Sequence, residues 1–211
     1  MKLLWKVCGM RDEQNIKDVA ALQPDFMGFI FFKKSKRFVG DDFDAQSLHS
    51  ILSKTKKVGV FVNEDPEVVR SIVSKYKLDF VQLHGHESAE ECNSLKESGI
   101  RVFKAFAVDE DFDFSILNEY QGKVDYFLFD TKAKGGFGGH GITFDWSLLE
   151  QYSLNTPFLL AGGIDLGNIP EVKELNHKML AGIDVNSKFE IEPAFKNIEM
   201  LRDLKGQLKL F

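Results

Sequence analysis

The sequence predicts an α/β fold, a single (β/α)8 barrel spanning residues 1–211. Three observations predict it. Short apolar runs rich in valine, isoleucine and phenylalanine alternate with longer amphipathic stretches, the pattern of strand–helix units around a parallel sheet buried on both faces. Eight such runs occur, enough to close a barrel. A chain of 211 residues, 44% hydrophobic, is long enough for one large core and falls within the range that a barrel fills as one domain.

The runs begin near Leu3, Asp25, Lys57, Phe80, Val102, Asp125, Pro157 and Met179. The first, Leu3-Leu4-Trp5-Lys6-Val7, ends at Cys8-Gly9, and the second leads into Phe31-Phe32 and a basic stretch. The fourth ends at His84-Gly85, the sixth at Asp130-Thr131, the seventh at Ala161-Gly162-Gly163 and the eighth at Asn186-Ser187. A helical pattern is expected after every run, as over Asp12 to Leu22, Pro66 to Tyr76 and Ser88 to Ser98. A doubly wound open sheet is the competing architecture. It usually has fewer strands and a glycine-rich fingerprint after the first, where this chain has only Cys8-Gly9-Met10. No linker, low-complexity tract or further repeat divides the sequence.

Side chains alternate across a strand, so placing Cys8 inside the barrel also places Lys6 and Leu4 there. The same parity turns Tyr126, Leu128 and Asp130 inward, with Phe80, Gln82 and His84 from the fourth strand and Gly182 and Asp184 from the eighth. Polar groups thus converge on the C-terminal rim, the end at which barrel enzymes carry their active sites.

The net charge of −5 and the sequence pI near 5.6 argue against a nucleic-acid binder. No apolar stretch approaches the roughly 20 residues that span a bilayer. Two cysteines, Cys8 and Cys92, make no disulfide framework, and no long apolar leader precedes Leu3, so a reduced, cytoplasmic setting is expected.

Cys8 alone reads as a small buried apolar residue, but its place where a strand meets its loop, before a glycine, makes it a candidate nucleophile or base. A free thiol, with a pKa of about 8.5, needs help to ionise near neutrality. Lys6 shares its face, although a buried ion pair with Asp184 is the expected use of that lysine. Asp130 either caps a turn with Thr131 or, partly buried at the rim, serves as a general acid. In Lys33-Lys34-Ser35-Lys36-Arg37, the arginine suits a bidentate carboxylate contact that lysine cannot reproduce. Gly135 to Gly141 form one glycine cluster and Gly162-Gly163 another. Loops after the seventh and eighth strands of barrels often bind phosphate through backbone amides with a helix N-terminus, which makes Gly162, Gly163, Asn186 and Ser187 the expected phosphate site. His84 and His86 lack an obvious third ligand, so no metal is expected. Cys92 reads as structural within a helix, and the twenty phenylalanines as core.

Taken together, the segments resemble the phosphoribosylanthranilate isomerase family of tryptophan biosynthesis. The resemblance rests on KVCGM (6–10), MGFIFFKKSKR (27–37), VGVFVNE (58–64), VQLHG (81–85), FLFDT (127–131), GGHGITFDW (138–146), LAGGI (160–164) and GIDVNSKFE (182–190). It implies an Amadori rearrangement of a phosphorylated small-molecule substrate, without a redox cofactor. Asp130 would be the general acid, Cys8 the general base and Arg37 the clamp for the anthranilate carboxylate. Gln82, His84 and Asp184 would line the substrate, and Gly162, Gly163, Asn186 and Ser187 would hold its phosphate. Lys188 departs from the family form, in which a small residue often follows the serine, and a solvent-facing side chain is expected. No partner beyond the substrate is implied, and the chain is expected to be a monomer or homodimer. The alternatives are another phosphosugar barrel, whose epimerase form calls for metal-ligating histidines and aspartates, and a non-catalytic barrel that only binds a phosphorylated metabolite. Such a binder has no need of both Cys8 and Asp130.

Overall fold

The computed structural model describes residues 3–48, 51, 54–131 and 143–209. Eight parallel strands close on themselves in chain order: β1 Leu4–Val7, β2 Phe26–Ile30, β3 Lys56–Phe61, β4 Phe80–Leu83, β5 Arg101–Val108, β6 Tyr126–Thr131, β7 Phe158–Leu160 and β8 Leu180–Val185. The closing seam runs between β1 and β8, with Lys6 opposite Asp184.

The helices form where the sequence supplies caps. Asp12 accepts from the Asn15 amide at the start of α1 (Glu13–Ala21), Asp65 precedes Pro66 at the start of α2 (Pro66–Tyr76), and Ser88 and Glu91 form a reciprocal capping box on α3 (Ala89–Glu97). Further along come α4 (Ile169–Glu174), a two-stranded hairpin of β9 (Glu190–Glu192) and β10 (Phe195–Lys196), and α5 (Ile198–Leu208).

The expectation of a helix after every strand is too regular. Phe114–Tyr120 after β5 and Trp146–Gln151 after β6 are 3-10 helices, and the described part of the β2–β3 connection holds only the short 3-10 turn Ala45–Leu48. The physical cause is local. Gln121 and Tyr152 are extended and end the two longer turns, while Phe112 packs edge to face at 4.9 Å on Phe114, the first residue of the earlier one. No helix among the described residues is long and apolar enough to cross a membrane.

The barrel's floor is aromatic. Phe26, Phe80 and Tyr126 stand at the first positions of β2, β4 and β6, and Phe103 of β5 joins them, stacked on Tyr126 at 4.8 Å and edge to face with Phe26 at 5.3 Å. Each such pair adds about 0.5–1.5 kcal/mol beyond burial of its area. Leu4 and Ala181 pack against this plug. Simple alternation turns Gly182 rather than Ala181 inward, but the register between β7 and β8 shifts here, Phe158 pairing with Leu180 and Leu159 with Gly182. Any Cβ on Gly182 would meet the Leu4 carbonyl oxygen at 2.2 Å, so only glycine allows β8 this close to β1.

Outside the barrel wall, Lys104 is buried and donates to the carbonyls of Leu83 and Gly85 and to Glu87 Oε2 at 2.9 Å. Glu87 in turn accepts from the amides of Asn63 and Gly85. This clasp ties the ends of β3, β4 and β5 and fixes the loop that follows His84. Burial alone would push the Glu87 carboxyl up, but Lys104 and the amides hold it below the ordinary carboxylate range. A lowered native value means that the stability contributed by Glu87 is present above its unfolded pKa, about 4.3, and is lost as pH falls through the native one. We expect wild-type stability in urea to fall with acidification below about pH 4.5, and the double variant Glu87→Gln/Lys104→Met to lose less over that interval. Parallel pH profiles for the two proteins would remove the clasp as a source of acid sensitivity.

Candidate active site

Cys8 sits at the C-terminal end of β1, its amide bonded to the Val185 carbonyl of β8. It is buried, and a Cβ on the facing Gly28 would lie 2.7 Å from its sulfur, so β2 carries a glycine where the thiol needs room. Gly9, with φ of +78°, turns the chain immediately afterwards. Burial pushes the thiol up, Lys6 opposes that shift, and Asp184 adds to it. Lys6 binds Asp184 Oδ2 at 2.7 Å, in the ion pair expected from the sequence, and its charge also acts on Cys8. The Asp184 carboxyl is itself raised by burial, against the pull of Lys6, and feels Asp130 as well. Asp184 therefore links the thiol side of the rim to the acid side.

On the acid side, Asp130 Oδ1 accepts from the Thr131 amide at 2.8 Å, and Oδ2 lies 3.4 Å from His84 Nε2. Gln82 Nε2 lies 2.8 Å from His84 Nδ1. With that amide donating, a neutral ring carries its proton on Nε2, towards Asp130. His86, by contrast, is exposed, and its amide is held by the Asn63 side chain. Two buried acceptors, Gln82 Oε1 and Asp184 Oδ1, have no hydrogen-bond partner among the described residues. Any Cβ on Gly162 would lie 2.4 Å from Thr131 Oγ1 and 2.7 Å from Asp130 Oδ1, so that glycine lets the β7 loop close over the end of β6.

Gly162 and Gly163 both have positive φ, +80° and +67°, and their amides donate to no acceptor among the described residues. Ser187 opens a single 3-10 turn, Ser187–Phe189, and Lys188 is exposed as anticipated. The Asn186 side-chain oxygen accepts from Lys196 Nζ at 2.7 Å, which fixes that side chain beside the loop. The glycine cluster 135–141, with His140 and Ile142, lies outside the described residues.

Arg37 is the member of the basic run that turns in. Lys33, Lys34 and Lys36 are exposed, whereas Arg37 crosses Gly9 with its Cδ 2.8 Å from where a Cβ there would stand. Its guanidinium meets a protein carboxylate that the sequence reading missed: Nε contacts Glu190 Oε1 and Oε2 at 2.9 and 3.0 Å, and Nη2 contacts Oε2 at 2.7 Å. Glu190 Oε1 also accepts from Lys196 Nζ at 2.7 Å. Burial opposes ionisation of Glu190, yet Arg37 and Lys196 together hold it below the ordinary range, while burial lowers Lys196 to about 8. The clue in the sequence was GIDVNSKFE ending on a carboxylate, but nothing in periodicity pairs position 190 with position 37. Cys92 is fully buried in α3, its thiol pushed up to about 12 by desolvation, and is structural.

Comparison with known proteins points to one family. The family model described as N-(5'phosphoribosyl)anthranilate (PRA) isomerase matches residues 5–206. The chain belongs to the phosphoribosylanthranilate isomerase family. The N-(5'-phosphoribosyl)anthranilate isomerase of Parabacteroides distasonis is 48% identical over 207 residues, 98% of this chain and 93% of the relative. That of Phocaeicola vulgatus is 40% identical over 209 residues, 98% of each. The crystal structure of phosphoribosyl anthranilate isomerase from Thermotoga maritima superimposes with a TM-score of 0.88 at 29% identity, covering 99% of this chain and 100% of that one. Another phosphoribosyl anthranilate isomerase, solved with reduced 1-(o-carboxyphenylamino)-1-deoxyribulose 5-phosphate, gives 0.81 at 26% identity over 99% and 100%.

Within this isomerase fold the lysine beside the thiol has a measurable consequence. We expect Lys6→Met to slow iodoacetamide labelling of Cys8 in the folded protein at pH 8 by about tenfold, because removing the cation leaves burial and Asp184 both opposing the thiolate. Labelling that is unchanged, or faster, would show that Lys6 does not support ionisation.

Proposed function

We propose that the rim carries out the isomerisation through Cys8 as general base and Asp130 as general acid. The chain is an isomerase of tryptophan biosynthesis that acts on phosphoribosylanthranilate, an aminoaldose, and yields 1-(2-carboxyphenylamino)-1-deoxyribulose 5-phosphate. One observation supports the assignment of roles: Cys8 follows β1 and Asp130 lies near the end of β6 at the same C-terminal rim, with Gly28 and Gly162 leaving room beside the thiol and the carboxyl.

Asp130 protonates the ribose ring oxygen, and the ring opens as the anthranilate nitrogen's lone pair forms an iminium. Cys8 then removes the proton from the adjacent hydroxyl-bearing carbon, and the electrons released neutralise the iminium as an enolamine. Tautomerisation gives the ketone, and Cys8 never bonds to substrate carbon. Each aligned proton transfer contributes about 10²–10⁴-fold. Lys6 favours the thiolate against burial. His84 orients the Asp130 carboxyl, and the open acceptors Gln82 Oε1 and Asp184 Oδ1 suit ribose hydroxyls. The amides of Gly162 and Gly163, with the loop at Asn186 and Ser187, suit the phosphate. Arg37 holds the anthranilate carboxylate, and anchoring both ends fixes the reacting carbons between acid and base.

The reading includes one domain over residues 1–211, a cytoplasmic location, no nucleic-acid or membrane partner, and a monomer or homodimer. The acidic net charge argues against a nucleic-acid partner, the two free cysteines suit a reducing compartment, and no helix among the described residues is long and apolar enough to cross a membrane.

The test follows the loss of phosphoribosylanthranilate fluorescence with purified protein. Turnover by the unmodified chain is expected, with Cys8→Ser and Asp130→Asn each slowed by at least a hundredfold; no turnover by the unmodified chain overturns the reading. Arg37→Lys should raise KM by about ten- to a hundredfold, the loss of a charge-assisted bidentate contact worth roughly 1.5–3 kcal/mol, and should weaken substrate binding more than it lowers stability to urea, although the contact to Glu190 is also loosened. Unchanged kinetics would dismiss the clamp.

A further inference from the structure

Resting on the isomerase reading above, we infer that Arg37 is built to hold two carboxylates at once, and that Glu190 and Lys196 are positioning residues that prepare it for the carboxylate of the substrate. A guanidinium is planar and presents its donors along separate edges. Glu190 occupies one of them, through Nε and Nη2. Nη1 has no partner among the described residues, so the edge formed by Nη1 and the second Nη2 hydrogen stays available for another carboxylate in the same plane.

Three features make this more than an ordinary surface ion pair. The Arg37 and Glu190 side chains are 15% and 5% exposed and Lys196 is fully buried, so the geometry is held by packing rather than by two solvated chains meeting. Arg37 reaches Glu190 across Gly9, the residue after Cys8, where any Cβ would stand 2.8 Å from the arginine Cδ and 2.8 Å from Asn186 Oδ1. Glycine at that point is therefore what lets the clamp pass beside the base. The third feature is charge. Arg37 and Glu190 alone would cancel and offer a carboxylate ligand no net attraction. Lys196, 2.7 Å from Glu190 Oε1, makes the cluster two cations to one anion and restores that attraction without adding a second flexible donor at the rim.

The arrangement also joins the two ends of the substrate. Lys196 binds Asn186 Oδ1 at 2.7 Å as well as Glu190, and the hairpin of β9 and β10 carries both Glu190 and Lys196 directly after the Asn186–Ser187 loop. Two anchored groups on one short hairpin fix the distance between the carboxylate clamp and the phosphate loop, which is the distance the substrate must span.

Two product analogues separate a positioning role from a merely structural one: reduced 1-(2-carboxyphenylamino)-1-deoxyribulose 5-phosphate, and the same compound with a plain phenyl ring. Affinities are measured by titration calorimetry on the full chain, its Glu190→Gln variant and its Lys196→Met variant. The unmodified chain should favour the carboxylate-bearing analogue by at least tenfold. Lys196→Met should cut that preference to under threefold, and so should Glu190→Gln, where the gain in net positive charge alone would raise it and a fall therefore reports lost positioning of Arg37; affinity for the phenyl analogue should change by less than threefold and KM rise more than kcat falls. A preserved preference in either folded variant overturns the inference, and so does an equal loss for both analogues, which marks general damage to the rim. Glu190→Gln is close to isosteric; if Lys196→Met fails to fold, Lys196→Gln takes its place with the same expectation. Turnover by the unmodified chain together with unmoved preferences would sink this inference alone, whereas absence of turnover and of binding to either analogue would sink the isomerase roles with it.

Discussion

The ion pair between Lys6 and Asp184 is the interaction on which the rest of the molecule depends. It spans the seam at which the last strand returns to the first, with the two residues directly opposite in the parallel register. Both are buried, so each charge is tolerated only because the other is present; removing one partner of such a pair typically costs about 3–5 kcal/mol. The pair thus couples closure of the barrel to the electrostatics of its rim. The same lysine that satisfies Asp184 also opposes the effect of burial on Cys8, and the same aspartate senses Asp130.

Below and beside that pair the chain divides its labour by depth. An aromatic plug of Phe26, Phe80, Phe103 and Tyr126 fills the end where the strands begin, and a small middle layer of Ala105, Leu128 and Ala161 leaves room for the polar groups above. Glycines appear where strands or loops must approach the functional groups: Gly28 against the thiol, Gly162 against Asp130, Gly9 under Arg37. Each position excludes a side chain for a steric reason that can be named. The Glu87–Lys104 clasp performs the matching task outside the wall, holding the loop after His84 so that its ring can meet Asp130.

Much of this was legible in the sequence because barrel strands obey a two-residue period and begin and end at composition changes. All eight strand starts fall within two residues of the expected runs, and parity correctly turned Lys6, Cys8, Gln82, His84, Asp130 and Asp184 towards one another. Parity failed at Ala181, where a register shift between β7 and β8 breaks the alternation, and periodicity overstated the helices after β5 and β6, where extended residues end the turns early. Both failures have one origin. Local pattern predicts local geometry, and a bulge or a truncated turn is set by what the neighbouring element leaves room for.

The sequence by itself determined the strand count, the end of the barrel at which the polar residues gather and the family to which they belong, because those follow from composition, alternation and contiguous motifs. Tertiary structure alone decided the company each residue keeps. Arg37 could be recognised as a carboxylate binder, but Glu190 stands 153 positions away, and Lys196 reaches it only because a hairpin folds back at the end of the barrel. Asn186 was expected at the phosphate loop, and the structure adds that its side-chain oxygen is fixed by that same lysine. Contacts of this kind carry no periodic signature, since charge pairing acts through space while sequence pattern records only order along the chain.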